Sequence, residues 1–176
     1  MCVFRHGGKE MSVQFEIKLS EDHMYEFLLK HYYTHVGGIL TTAAGVASAL
    51  LAAFFLYQLD FTKGGVWVMS AFIFLYVNRK TLKNKAKIQV KESDMINKPL
   101  HCELAESGVI VRRDGETVTN PWEDFTKVYT TKHVVILYVG RVRAFIFPKE
   151  QIGEQYQAAV EIIREHIPHR KIRGLK

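Results

Sequence analysis

Few residues in this chain have types and spacing that could do chemistry. His31 and His35 stand four apart in a stretch that reads as helix, so both rings can face one ion, and His23 falls roughly on the same side. No glutamate follows His31 as in a zinc-protease helix, and histidines also mark membrane boundaries, so no metal is expected. His166 and His169 flank Pro168 in a basic tail and share no ligating face. Cys2 and Cys102 are far apart and belong to no CxxC pattern, which suits a reduced, intracellular setting. Glu123 and Asp124 are adjacent, and in an extended segment their carboxylates point to opposite faces, against a catalytic dyad. Neither Gly37-Gly38 nor Gly64-Gly65 leads into a Lys-Ser/Thr pair, so no phosphate loop is indicated. Trp122 follows Asn120-Pro121 and begins a strand, a place where a lone tryptophan packs more often than it binds. The expectation is no enzyme, no catalytic residue and no cofactor.

Charge is the next candidate for function. The net charge of +6 is concentrated in two places. Arg79, Lys80, Lys83, Lys85, Lys87, Lys91 and Lys98 face only Glu92 and Asp94 within residues 79–98, and the tail sets Arg164, Arg170, Lys171, Arg173 and Lys176 against Glu165. Cations directly after an apolar run are topology determinants that also touch anionic headgroups. Arg79, Lys80, Lys83, Lys85, Lys87 and Lys91 are therefore expected to bind the membrane surface, and no nucleic-acid partner is expected.

The element that positions those cations is apolar. Residues 36–59 carry no charge and as a helix span about 36 Å, more than the ~30 Å hydrocarbon core. Residues 64–78 are shorter, about 22 Å, but Lys63 and Arg79 can snorkel from their ends while Trp67 and Tyr76 suit the interface. Nothing in residues 80–87 would break that helix. The reading is a two-helix transmembrane hairpin over residues 36–78, with both termini in the cytoplasm and residues 58–63 as an external turn. Gly45, Ala49 and Ala53 recur every fourth residue and are expected to pack against the second helix, with a second copy of the chain as the other choice. Neither run holds an ionisable group at depth, which argues against a transporter.

The flanks read as soluble structure. Val13, Phe15, Ile17 and Leu19 alternate with polar residues as in a half-buried strand, and Ser20 then caps a helix that opens with Glu21 and Asp22. Six further strands are expected at residues 100–106, 109–113, 116–120, 125–131, 133–139 and 142–147. Ser107-Gly108, Asp114-Gly115 and Gly140-Arg141 serve as turns. Pro148 opens a closing helix whose apolar face is Ile152, Tyr156, Ala159, Val160, Ile163 and Ile167. Residues 1–10 hold charges and two glycines without an apolar core, so no signal peptide is expected and Met11 is an alternative start.

The order of hairpin, basic connector, strand pair interrupted by Gly108, Trp122-Glu123-Asp124-Phe125, Ile146-Phe147-Pro148-Lys149 and closing amphipathic helix resembles the YcxB-like family of bacterial membrane proteins from Met11 onward. Trp122, Phe125, Pro148 and Lys149 carry the resemblance most specifically. It implies a protein of the bacterial plasma membrane whose C-terminal domain is similar to pleckstrin-homology-like sheets, and it brings no catalytic residues.

The expected organisation is a disordered or non-native start at 1–11, a strand and amphipathic helix at 12–35, the hairpin at 36–78, a basic connector at 79–98 and a β-rich domain with a C-terminal helix at 99–176. The fold class is a membrane α-helical hairpin plus α+β, with an antiparallel sheet or partial barrel of pleckstrin-homology-like type. A strand with one apolar face needs a partner, so residues 13–19 are expected to join the later sheet and make the hairpin an insertion after the first strand. The functional expectation is an interaction or regulatory module held at the inner leaflet, its partners the anionic bilayer, an unidentified protein and a second copy. The alternative is an immunity-type protein that protects the membrane against a toxin or bacteriocin.

Overall fold

In the computed structural model, residues 12–93, 98–113, 115–140 and 143–175 are described. Cys2, the start at Met11, Asp94, Asp114 of one turn, Arg141 and Val142 of another, and Lys176 lie outside them.

The chain forms two compact units, one joining the residues up to His23 with those from Ser93 on, the other Met24–Glu92. In the first unit β1 (Val13–Ile17) pairs antiparallel with β2 (Leu100–Ala105), setting Val13 opposite Leu104, Phe15 opposite Cys102 and Ile17 opposite Leu100. The alternation read from the sequence is the reason: Val13, Phe15 and Ile17 are buried while Gln14 and Glu16 are exposed. β3 (Gly108–Arg113) and β4 (Glu116–Asn120) complete a sheet of order β1-β2-β3-β4. The helical residues 24–92 are thus inserted between two hydrogen-bonded neighbours of one sheet, as the lone apolar strand required.

The second sheet has the order β7-β6-β5-β8, from β5 (Phe125–Thr130), β6 (Val134–Val139), β7 (Arg143–Pro148) and β8 (Ile172–Arg173). Both sheets contribute to one core with Leu104, Val109, Phe125, Val135, Leu137 and Phe147, yet they do not close into a barrel. The partial barrel expected from the sequence is therefore corrected to two separate sheets. β8 pairs parallel to β5, a strand missed in the basic tail because two residues show no periodicity. The closing helix is also not continuous. Gly153 has φ +59°, a left-handed conformation that ends α5 (Lys149–Ile152), and after a 3-10 turn α6 (Tyr156–His166) lays Ala159, Val160, Ile162 and Ile163 into the core.

The second unit is helical. α1 (Glu21–Thr34) starts on Ser20, whose Oγ accepts from the His23 amide at 3.2 Å while the Ser20 amide donates to His23 Nδ1 at 3.3 Å. At His35 the backbone turns extended, and α2 (Val36–Tyr57) begins. Gly38 permits that elbow, since a Cβ there would run into the Tyr32 carbonyl. α3 (Phe61–Phe72) is capped by Asp60, passes through a π turn at Ile73–Val77 and continues as α4 (Asn78–Glu92). Residues 79–92 of the supposed connector are therefore helix, consistent with the absence of a breaker. Among the described residues only α2 is long and apolar enough to cross a membrane, and its apolar side chains are mostly exposed, including Leu40, Leu50 and Phe54. The two-span hairpin is not matched by a second helix of that kind, because α3 has 12 residues before the π turn.

Candidate functional site

Trp122, Glu123 and Asp124 form a 3-10 turn between the two sheets, not the start of a strand, because Asp124 N–H donates back to the Pro121 carbonyl at 3.1 Å. The turn buries the indole, whose Nε1–H donates to the Ala105 carbonyl at 2.9 Å. Its ring stacks on His166, centroids 5.1 Å apart and planes 20° apart, at the end of α6. With Glu106, Ser107, Pro121, Glu123, Pro168 and Lys171 the stacked pair lines a groove of about 520 Å³.

The hydrogen bonds decide the chemistry this groove offers. The indole N–H is used, His166 Nδ1 bonds the Ile162 carbonyl at 2.9 Å, and Lys171 Nζ donates to the Phe125 carbonyl at 3.0 Å. Glu106 and Glu123 line the groove and are exposed, so their carboxylates can meet a cationic side chain there. Glu106 was invisible as a partner of His166 and Lys171 in the sequence, being dozens of residues from them and joined to them only by the fold.

Residues 104–163 match the family model described as YcxB-like protein. No curated protein and no solved structure matches the chain. The YcxB-like segment holds Trp122, Phe125, Pro148 and Lys149, the residues that carried the resemblance. The match does not extend to β1, the helical unit or the tail. Inside the YcxB-like segment these residues build structure. Phe125 is fully buried, and Pro148 is buried at the end of β7. Lys149 ties the sheet to α5 through its backbone N–H on the His133 carbonyl at 2.8 Å and its Nζ on the Thr131 carbonyl at 2.7 Å.

Of the cations after the apolar run, Lys80, Lys83, Lys87 and Lys91 are spaced by threes and fours and form one exposed stripe on α4, whereas Lys85 and Arg79 turn away from it. In α2 the buried residues are Gly38, Gly45, Ser48 and Ala52, while Ala49 and Ala53 are exposed. A strict four-residue repeat gains about 40° per step at 3.6 residues per turn, so the Gly45-Ala49-Ala53 line drifts off the contact, which instead alternates threes and fours. Ser48 lies 3.1 Å from Ser70 of α3, Oγ to Oγ, and Gly45 lies against Leu75.

The rings of His31 and His35 lie 4.1 Å apart with their planes inclined at 52°, and burial, then the charge of His35, lowers the His31 pKa. His23 is not their third member, because its Nε2 is 3.2 Å from Glu150. No group of three or more His, Cys, Asp or Glu that could hold a metal occurs among the described residues.

Proposed function

We propose that the protein is an integral membrane protein that holds a pleckstrin-homology-like interaction module at the inner leaflet of a bacterial cell. The observation that carries this is the pairing of β1 with β2 across the helical insertion. Two strands of one sheet must lie on the same side of any membrane, so the insertion crosses an even number of times. α2, with 22 residues and about 33 Å, is long enough to cross once. The return falls to α3 and the π turn, residues 61–77, about 25 Å as helix. Their exposed Val66, Met69, Phe72 and Ile73 suit lipid, and Lys63 and Arg79 snorkel at the ends. Arg79 and the α4 lysines against the single Lys63 of the turn favour both ends in the cytoplasm.

The module is the β unit, with a four-stranded sheet, a second sheet and a C-terminal helix over their shared core. No catalysis is assigned to it. Its receiving surface is the Trp122–His166 groove with an acidic rim, and the partner is a protein that inserts a lysine or arginine. Alkaline carbonate extraction of membranes tests the anchoring: the protein should stay in the pellet and require detergent, and release into the supernatant would reject the proposal.

A further inference from the structure

Arg79 differs from the other cations of its helix because it points into a formed cavity. Its Nε lies 3.4 Å from the Tyr33 hydroxyl, and the two line a pocket of about 350 Å³ with Tyr32, Thr42, Phe74, Tyr76 and Asn78 among others. The volume is at the small end of ligand sites. Two local features build it. The elbow at His35 and Gly38 folds the end of α1 back on the start of α2, which brings Tyr32 and Tyr33 to the wall. The π turn at Ile73–Val77 inserts one residue and rotates the start of α4 by about 100°, which sets the direction of Arg79. Side chains take up the carbonyls of the widened turn, with Asn78 Nδ2–H donating to Phe74 O at 2.8 Å and Thr81 Oγ1–H to Val77 O at 2.9 Å.

Among the described residues no carboxylate pairs with Arg79. A guanidinium beside tyrosine hydroxyls and a side-chain amide is a donor set for a phosphate, and the planar fork of arginine fits one by two parallel bonds. The pocket sits where the exposed apolar stretch of residues 61–77 gives way to the cationic α4. We infer that this pocket binds the phosphodiester of one phospholipid headgroup, which rests on the membrane reading of the helical unit. The α4 lysines hold the leaflet diffusely, whereas Arg79 holds one lipid in place.

The test is native mass spectrometry of the full chain released from nanodiscs of phosphatidylglycerol and phosphatidylcholine, with carbonate extraction run on the same variants. One retained phospholipid per protomer is expected. Arg79→Gln should reduce retention on the order of tenfold and Tyr33→Phe by less, while Lys87→Gln leaves it unchanged. Retention in Arg79→Gln equal to wild type overturns the inference, as does displacement of the lipid by inorganic phosphate, which would make a soluble anion the ligand. A wild-type protein that resists carbonate but retains no lipid also overturns it without touching the membrane reading. Extraction of the wild type by carbonate removes both.

Discussion

Replacing Phe15 by alanine should destabilise the β unit as a whole, although Phe15 precedes the helical insertion. Phe15 is 8 % exposed, faces Cys102 across β1 and β2, and meets Phe147 of the second sheet edge to face at 5.3 Å and 83°. Truncating a buried phenylalanine costs about 3–5 kcal/mol, of which the aromatic pair is about 0.5–1.5. With its slight exposure the lower figure, about 3 kcal/mol, is expected. At a urea m-value of about 1–3 kcal/mol/M this lowers the unfolding midpoint by roughly 1–3 M. The assay is the fluorescence of Trp122 during urea titration of the reconstituted protein, in a Trp67→Phe background so that the α3 indole does not contribute. Val118→Ala is the control, because Val118 is 55 % exposed on β4 and should change stability by no more than about 0.5 kcal/mol. If Phe15→Ala behaves like Val118→Ala, β1 is not part of the domain and the insertion argument fails.

Local geometry sets the other expected outcomes. Burial raises the Cys102 thiol to about 12, so with Cys2 replaced by Ser the folded protein should resist iodoacetamide at pH 8 and label on denaturation. The neutral thiol is favoured in the fold, so stability is full below the unfolded value of about 8.5 and declines as pH rises from there toward 12. Gly38→Ala should destabilise the helical unit in a thermal melt, since its Cβ meets the Tyr32 carbonyl. Gly37→Ala, with nothing within 4 Å, should be neutral or stabilising by up to about 1 kcal/mol. Converting Lys83, Lys87 and Lys91 to Gln should weaken binding to anionic vesicles by up to about 1 kcal/mol per lysine before screening, without lowering the urea midpoint of the β unit; loss of that midpoint would show that the stripe is structural.

Strands with a polar and an apolar face were legible because the period of two survives in the sequence, so β1 and the later hairpins lie within a residue or two of their expected bounds. The elements that escaped have no local signature. β8 is two residues that pair only because the fold brings β5 alongside. The π turn is accompanied by side-chain bonds from Asn78 and Thr81 to its carbonyls, and residues 73–77 hold no glycine or proline that would mark it in the sequence. The buried seam of α2 runs through Ser48 and Ala52 and leaves the equally small Ala49 and Ala53 exposed, and only the phase of the helix separates them. The groove joins residues 106, 122, 166 and 171, which no spacing rule connects. Trp122 belongs to the buried core, and its stack on His166 needed the end of α6 in place.

The central claim is an even number of membrane crossings between two paired strands. Thr62 lies in the first turn of α3, and Arg170 is exposed beyond α6. In cells expressing Thr62→Cys or Arg170→Cys, with Cys2 replaced by Ser, an impermeant maleimide should label Thr62→Cys in intact cells and Arg170→Cys only after lysis. Labelling of Arg170→Cys from outside while Thr62→Cys stays protected, or equal accessibility of the two, would contradict the account.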